Sequence, residues 1–132
     1  MGKENLNKKI LDFIKETGMF FYATTEEGMP RVRPLGYIEE IKDELIIAFS
    51  NTKDMAKQTL AKPDFEICAS TPEKWLRIKG RAYPVSDKEI LSKVLECPIF
   101  KGRLTEETVG AFYLEIEKVE YFTLFGEYSC LK

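Results

Sequence analysis

Between Phe20 and Phe125 the chain passes through a succession of short apolar or alternating runs separated by polar turn residues, with few helical stretches between them. The run Trp75 to Tyr83 is the most explicit. Leu76, Ile78, Gly80 and Ala82 fall on one face, and Trp75, Arg77, Lys79, Arg81 and Tyr83 on the other, because side chains on a strand alternate. A strand of that parity needs a core on one side only. Phe20 to Thr24 is aromatic and strand-like, and Glu26-Glu27-Gly28 supplies a turn. Residues 30–39 and Glu44 to Phe49 follow, separated by Lys42-Asp43, and the three runs read as an antiparallel meander. Phe65 to Ala69 forms another strand, and two closing strands are expected near Phe112–Ile116 and Val119–Phe125.

The helical stretches are short. In residues 5–17, Leu6, Ile10, Phe13, Ile14 and Thr17 recur at spacings of three and four, with Asn5 placed to cap the start and Gly18 to end the helix. Residues 52–61 read as a second helix, stopped by Pro63. Ser86-Asp87-Lys88-Glu89 resembles a capping box opening a third, which buries Ile90, Leu91, Val94 and Leu95. Residues 97–109 read as loop. Seven short strands with so few helices imply a mainly β fold, a closed or nearly closed antiparallel barrel and not a doubly wound parallel sheet. The first helix would cover one barrel mouth. No linker or repeat divides the chain, so residues 1–132 are expected to form a single domain.

Composition narrows the function classes. The chain has 132 residues, 44% of them hydrophobic, which is enough for a core without disulfide or metal staples. The formal net charge is −2, and a dedicated nucleic-acid binder would be strongly basic. The three cysteines, Cys68, Cys97 and Cys130, have neither disulfide-framework nor zinc spacing, so reduced thiols in a cytoplasmic protein are expected. No leader-like segment opens the chain and no apolar run is long enough to span a membrane.

Histidine is absent altogether, which removes histidine bases, triads and metal ligands. The common glycine-rich nucleotide loops are missing too. Chemistry in such a chain would come from a bound cofactor. Three segments could take part. In Phe49-Ser50-Asn51-Thr52-Lys53 a strand ends and a helix begins; free amides at a helix start, two hydroxyls and a lysine suit a phosphate. Lys53 in a first helical turn opposes the helix dipole by ~0.3–1 kcal/mol, a cost that an anion would offset. A capped surface helix, with Asn51 or Thr52 as the cap, is the plain alternative. In Arg31-Val32-Arg33-Pro34-Leu35-Gly36 both guanidinium groups leave one strand face, and Pro34 with Gly36 suggests an irregular edge that a flat ligand could approach. An edge strand with solvated arginines is the alternative there. The third segment is the face bearing Trp75, Arg77, Lys79, Arg81 and Tyr83, which is a solvated or dimer-facing surface or, remotely, a platform for single-stranded nucleic acid.

The order of these segments is more telling than any one of them. Gly28-x-Pro30-x-x-Arg33-Pro34, then Phe49-Ser50-x-Thr52-Lys53 before a helix containing Gln58, then Trp75-Leu76-Arg77-Ile78-Lys79-Gly80-Arg81-Ala82, resembles the pyridoxamine 5′-phosphate oxidase-like FMN-binding split-barrel family over residues 5–125. In length and in its N-terminal helix the chain is similar to the nitroimidazole-resistance branch. The resemblance implies a homodimer with FMN between the subunits. It implies that Val32, Arg33, Pro34 and Leu35 line the isoalloxazine ring, that Phe49 and Ser50 border the flavin, and that Thr52 with Lys53 holds the phosphate. Gln58 would be a further contact, and Trp75 or Arg77 would reach the flavin of the other subunit. The implied function is a flavin-dependent oxidoreductase passing hydride or electrons between a small-molecule substrate or donor and the flavin, with a non-catalytic flavin sensor or carrier as the alternative. The chain ends Tyr128-Ser129-Cys130-Leu131-Lys132, without the arginine–histidine substrate motif of true pyridoxamine phosphate oxidases, so vitamin B6 oxidation is not expected. Nor does it have the histidine that nitroimidazole-resistance proteins often carry near the flavin.

Overall fold

The structure of the protein, a computed structural model, describes residues 2–132. Three helices and eight strands follow in the order α1 (Lys3–Thr17), β1 (Phe20–Glu26), β2 (Met29–Leu35), β3 (Ile38–Ile41), β4 (Glu44–Ser50), α2 (Asp54–Ala61), β5 (Asp64–Ser70), β6 (Lys74–Pro84), α3 (Lys88–Leu95), β7 (Val109–Thr123) and β8 (Tyr128–Cys130). All strands belong to one sheet of order β2-β1-β5-β6-β7-β4-β3, with β8 beside the end of β7. Every pairing is antiparallel. The two outermost strands, β2 and β3, are consecutive in the chain and separated only by Gly36 and Tyr37. A sheet whose first and last strands are tethered so closely must curl round on itself, which is the split-barrel arrangement.

Local chemistry explains most of the elements. Glu27 and Gly28, at φ 52° and 78°, make the two-residue turn between β1 and β2, and Lys42 and Asp43, at 52° and 67°, make the one between β3 and β4. Turns with both central residues at positive φ match the right-handed twist of the strands they join. Leu6, Ile10 and Ile14 of α1 enter the barrel core beside Phe20, Tyr22, Leu45, Ile47 and Phe112, so the helix closes a mouth of the barrel. Ile46 and Ala48 point the other way, into a second cluster with Ile90, Leu91 and Val94 of α3 and with Tyr37 and Phe100. This second layer is why Leu45 to Phe49 is buried on both faces.

Several boundaries differ from the sequence expectations. Residues 30–39 are two strands, not one, because the chain breaks at Gly36-Tyr37 and Tyr37 turns into the second cluster. The expected meander is instead two hairpins at opposite ends of the sheet. The two closing strands are one long strand, β7. Glu117 bulges from it where Lys79 pairs with Lys118 and Gly80 with Ile116. A Cβ on Gly80 would lie 2.0 Å from the Glu115 carbonyl oxygen, so the backbones meet there only because position 80 has no side chain. The short exposed strand β8 was not expected, which raises the strand count from seven to eight. Gly2, not Asn5, stands at the start of α1, and Asp87, not Ser86, caps α3 through its Oδ1, which accepts from the Glu89 and Ile90 amides. Among the described residues no helix is long and apolar enough to cross a membrane.

Candidate functional site

On β2, Arg31, Arg33 and Leu35 share one strand face. Leu35 is buried in the barrel core, while Arg33 sits half-buried near its rim, against β1 and α2. There the guanidinium meets a network of polar groups. Its Nη1 donates to Thr24 Oγ1 at 2.8 Å, to the Tyr22 carbonyl at 3.2 Å and to the Arg31 carbonyl at 3.3 Å. Its Nη2 donates to Gln58 Oε1 at 2.7 Å. Thr24 Oγ1 donates to the same Gln58 oxygen at 2.5 Å, and Gln58 Nε2 donates to Glu26 Oε2 at 3.3 Å. Beneath them the Tyr22 hydroxyl and Thr59 Oγ1 share a hydrogen bond of 2.8 Å. Thr24, Gln58 and Thr59 are only 2%, 6% and 1% exposed, so these bonds are formed away from water and losing a partner there is costly.

Desolvation sets the electrostatics. Burial pulls the Arg33 guanidinium below its usual value, and the repulsion of Arg31 adds to that pull, while Tyr22 and Asp54 oppose it. Burial also pushes the Tyr22 phenol up to about 12, against the lowering effects of its bond to Thr59 and of Arg33. The guanidinium carbon lies 6.0 Å from the centre of the Tyr22 ring.

Above this network lies an open cleft of about 640 Å³, lined by Glu26, Arg31, Arg33, Pro34, Lys53, Asp54, Met55 and Gln58. Three cations and two carboxylates therefore face one depression beside the start of α2. No side chain caps that helix start. Lys53 is its N-cap, not a member of its first turn, because α2 begins two residues later than the sequence suggests. The preceding turn is held by the Lys53 amide donating to the Ser50 carbonyl at 3.2 Å and by the Ser50 and Thr52 hydroxyls, 2.8 Å apart. Asn51 does not cap the helix either. Its amide and side chain donate to the Thr108 and Glu107 carbonyls, pinning the turn to the loop before β7.

Of the residues named from the sequence, Arg33, Pro34, Lys53 and Gln58 come together at the cleft, with Ser50, Asn51 and Thr52 in the turn that leads to it. The side chains of Leu35 and Phe49 are core residues; Phe49 packs on Phe112 and Tyr22, so these positions can offer a ligand mainly backbone. Val32 is 67% exposed on the opposite face of β2. Trp75 and Arg77 are on β6, away from the cleft. Trp75 stacks on Phe122 with centroids 5.2 Å apart, and Arg77 lies over the same ring and pairs with Glu66 and Glu120. Thr24, Glu26 and Tyr22 were missed as site residues, because nothing local in the sequence marks a strand polar residue as the partner of a helix 34 positions later. Among the described residues no group of three or more metal-ligating side chains occurs.

The sequence profile of the pyridoxamine 5′-phosphate oxidase family matches residues 6–121. A NimC/NimA family protein from Clostridium acetobutylicum is 30% identical, with a TM-score of 0.84 over 94% of this chain and 92% of that one. A pyridoxamine 5′-phosphate oxidase-related, FMN-binding protein from Nostoc punctiforme is 15% identical, with a TM-score of 0.68 over 95% of both chains. A heme-binding protein from Mycobacterium smegmatis is 16% identical, with a TM-score of 0.72 over 91% of this chain and 55% of that one. No protein of curated function matches the chain.

Proposed function

The chain belongs to the pyridoxamine 5′-phosphate oxidase family, and from that premise we propose that it is a one-domain cytoplasmic FMN-binding oxidoreductase that works as a homodimer on a small-molecule substrate. The observation that carries this reading is the meeting of Arg31, Arg33 and Lys53 in one cleft at the uncapped start of α2. That donor set suits a phosphate: three cations outnumber the two carboxylates, and the helix start adds its positive dipole end. Thr52 and Ser50 in the adjoining turn supply hydroxyls. Val32 and Pro34, with the main chain of β2, offer a flat and partly apolar edge beside the cleft for an isoalloxazine ring.

FMN bound there would supply the electron or hydride transfer. The chain's own residues would anchor its phosphate through Lys53 and the first-turn amides of α2 and keep the ring against the edge of β2. The sheet register supports a role for a second subunit. Pro34, Phe21, Cys68 and Arg77 stand opposite one another across β2, β1, β5 and β6, so the flavin edge and Arg77 share one sheet face. Phe21 is 48% exposed on that face. A partner packed on it would cover this apolar surface and bring its own Trp75 and Arg77 towards the ring.

The test is the visible spectrum of the purified protein, followed by mass identification of the released chromophore. Flavin bands that bleach on adding dithionite or NADH are expected. Colourless protein that takes up no added FMN, or a haem Soret band in their place, overturns the reading. Steady-state NAD(P)H oxidation with an acceptor separates an oxidoreductase from a flavin carrier.

A further inference from the structure

We propose that Gln58 and Thr24 are positioning residues, which lock one edge of the Arg33 guanidinium so that its other edge is presented as a two-pronged donor to the phosphate of the bound flavin. The inference rests on the flavin reading above and moves the Arg33 side chain from the ring to the phosphate.

A guanidinium has two forks, one formed by Nη1 and Nη2 and one by Nη2 and Nε. The first is engaged: Nη1 donates to Thr24 Oγ1 and Nη2 to Gln58 Oε1, and these two acceptors are themselves joined by a hydrogen bond. Both Nη1 hydrogens are used, since the carbonyls of Tyr22 and Arg31 also accept from it. The Nε hydrogen and the neighbouring hydrogen of Nη2 have no partner among the described residues, and Arg33 lines the cleft. The unused fork matches two oxygens of a phosphate. Arg31 and Lys53 line the same cleft as Arg33, so one anion there could meet all three cations. Gln58 is held in turn by its bond to Glu26, which fixes the amide so that its oxygen, and not its nitrogen, faces Arg33. A flexible arginine would lose rotamer freedom on binding; one fastened in advance loses less.

The experiment measures FMN and riboflavin affinity side by side, by flavin fluorescence titration of deflavinated protein. Riboflavin lacks the phosphate and so reports everything except the proposed contact. Gln58→Met should weaken FMN by about tenfold and riboflavin by less than about twofold, the scale of one charge-assisted bond. Thr24→Val should act in the same direction, and Thr24→Ser, which keeps the hydroxyl, should restore the selectivity. Combined with Arg33→Met, Gln58→Met should add nothing further to the FMN loss. Should Gln58→Met not fold, the Thr24→Val and Thr24→Ser pair decides by the same ratio. Equal weakening of both flavins, unchanged FMN affinity, or a Thr24→Ser variant no better than Thr24→Val overturns the positioning role while leaving the flavin reading intact. Wild-type protein that binds neither flavin overturns both.

Discussion

Arg33 and Arg77 begin as equivalent signals, each an arginine in a run that alternates cations along a strand, and the fold gives them opposite surroundings. Arg33 is on the edge strand β2, where α2 lies over β1 and encloses its guanidinium among Thr24, Gln58 and the Tyr22 carbonyl. Arg77 is on the central strand β6 and remains exposed. Its neighbours β5 and β7 answer it with Glu66 at 3.3 Å and Glu120 at 3.5 Å. Arg81 is treated likewise by Asp64 and Glu115. The β6 face is therefore a mixed-charge surface, whereas the β2 cleft holds one partly desolvated arginine with donors to spare, beside the exposed Arg31 and Lys53. What separates a site from a surface here is the element packed over the cation and not the cation itself.

The largest effect tests whether β6 matters through its backbone. Gly80→Ala should prevent folding or cost at least ~3 kcal/mol, since the new Cβ would strike the Glu115 carbonyl oxygen and neither backbone can retreat without breaking the bulge. Urea titration followed by circular dichroism reads it, and a variant of near wild-type stability would show that the bulge yields.

Arg33→Met should cost about 1–3 kcal/mol, because Gln58 Oε1 and Thr24 Oγ1 each lose a donor that water cannot easily replace. Arg77→Met should cost no more than about 1 kcal/mol, the range of exposed ion pairs, and should vary with salt. Equal costs in the same titration would erase the distinction drawn between the two strands.

A third contrast uses two tyrosines whose phenols are both pushed up to about 12, for different reasons. Tyr22 is raised by burial, and Tyr128 by its hydrogen bond to Glu120 at the surface. A raised phenol pKa favours the neutral form in the fold. The associated stability is therefore fully present below pH 10 and drains away as pH rises from 10 through about 12. Tyr22→Phe should flatten this alkaline fall in a pH series of urea midpoints. Tyr128→Phe should leave it nearly unchanged, because water competes for the Tyr128 bond.

These contrasts also show which parts of the molecule could be read in advance. The parity of β6 was legible, since the side chains of this strand alternate along its length and Leu76, Ile78 and Ala82 are buried. The Glu27-Gly28 and Lys42-Asp43 turns were legible from residue type. The continuity of β7 was not, because Glu117-Lys118 looks like a polar turn until Gly80 is seen to accept a bulge opposite it. The second apolar cluster was hidden because Ile46 and Ala48 belong to a run that periodicity cannot divide between two cores. At the cleft, the turn before α2 and the exposed cations could be read from local spacing. The bond from Arg33 to Gln58 spans 25 positions and exists only after β2, β1 and α2 have packed.

Lys53 carries the smallest stability effect and sharpens the comparison most, because its two consequences have opposite signs. As the N-cap of α2 it brings a positive charge to the positive end of a helix dipole and caps nothing. Lys53→Glu should therefore stabilise the free protein by ~0.3–1 kcal/mol, as an acidic side chain does at a helix start. The same change places a carboxylate beside Arg31 and Arg33 in the cleft and should weaken FMN more than about tenfold through repulsion of the phosphate. A thermal melt without flavin and a flavin titration read the two effects separately. A lysine kept only as a solvated surface charge would give the first change without the second, and unchanged FMN affinity would remove the phosphate from this end of the cleft.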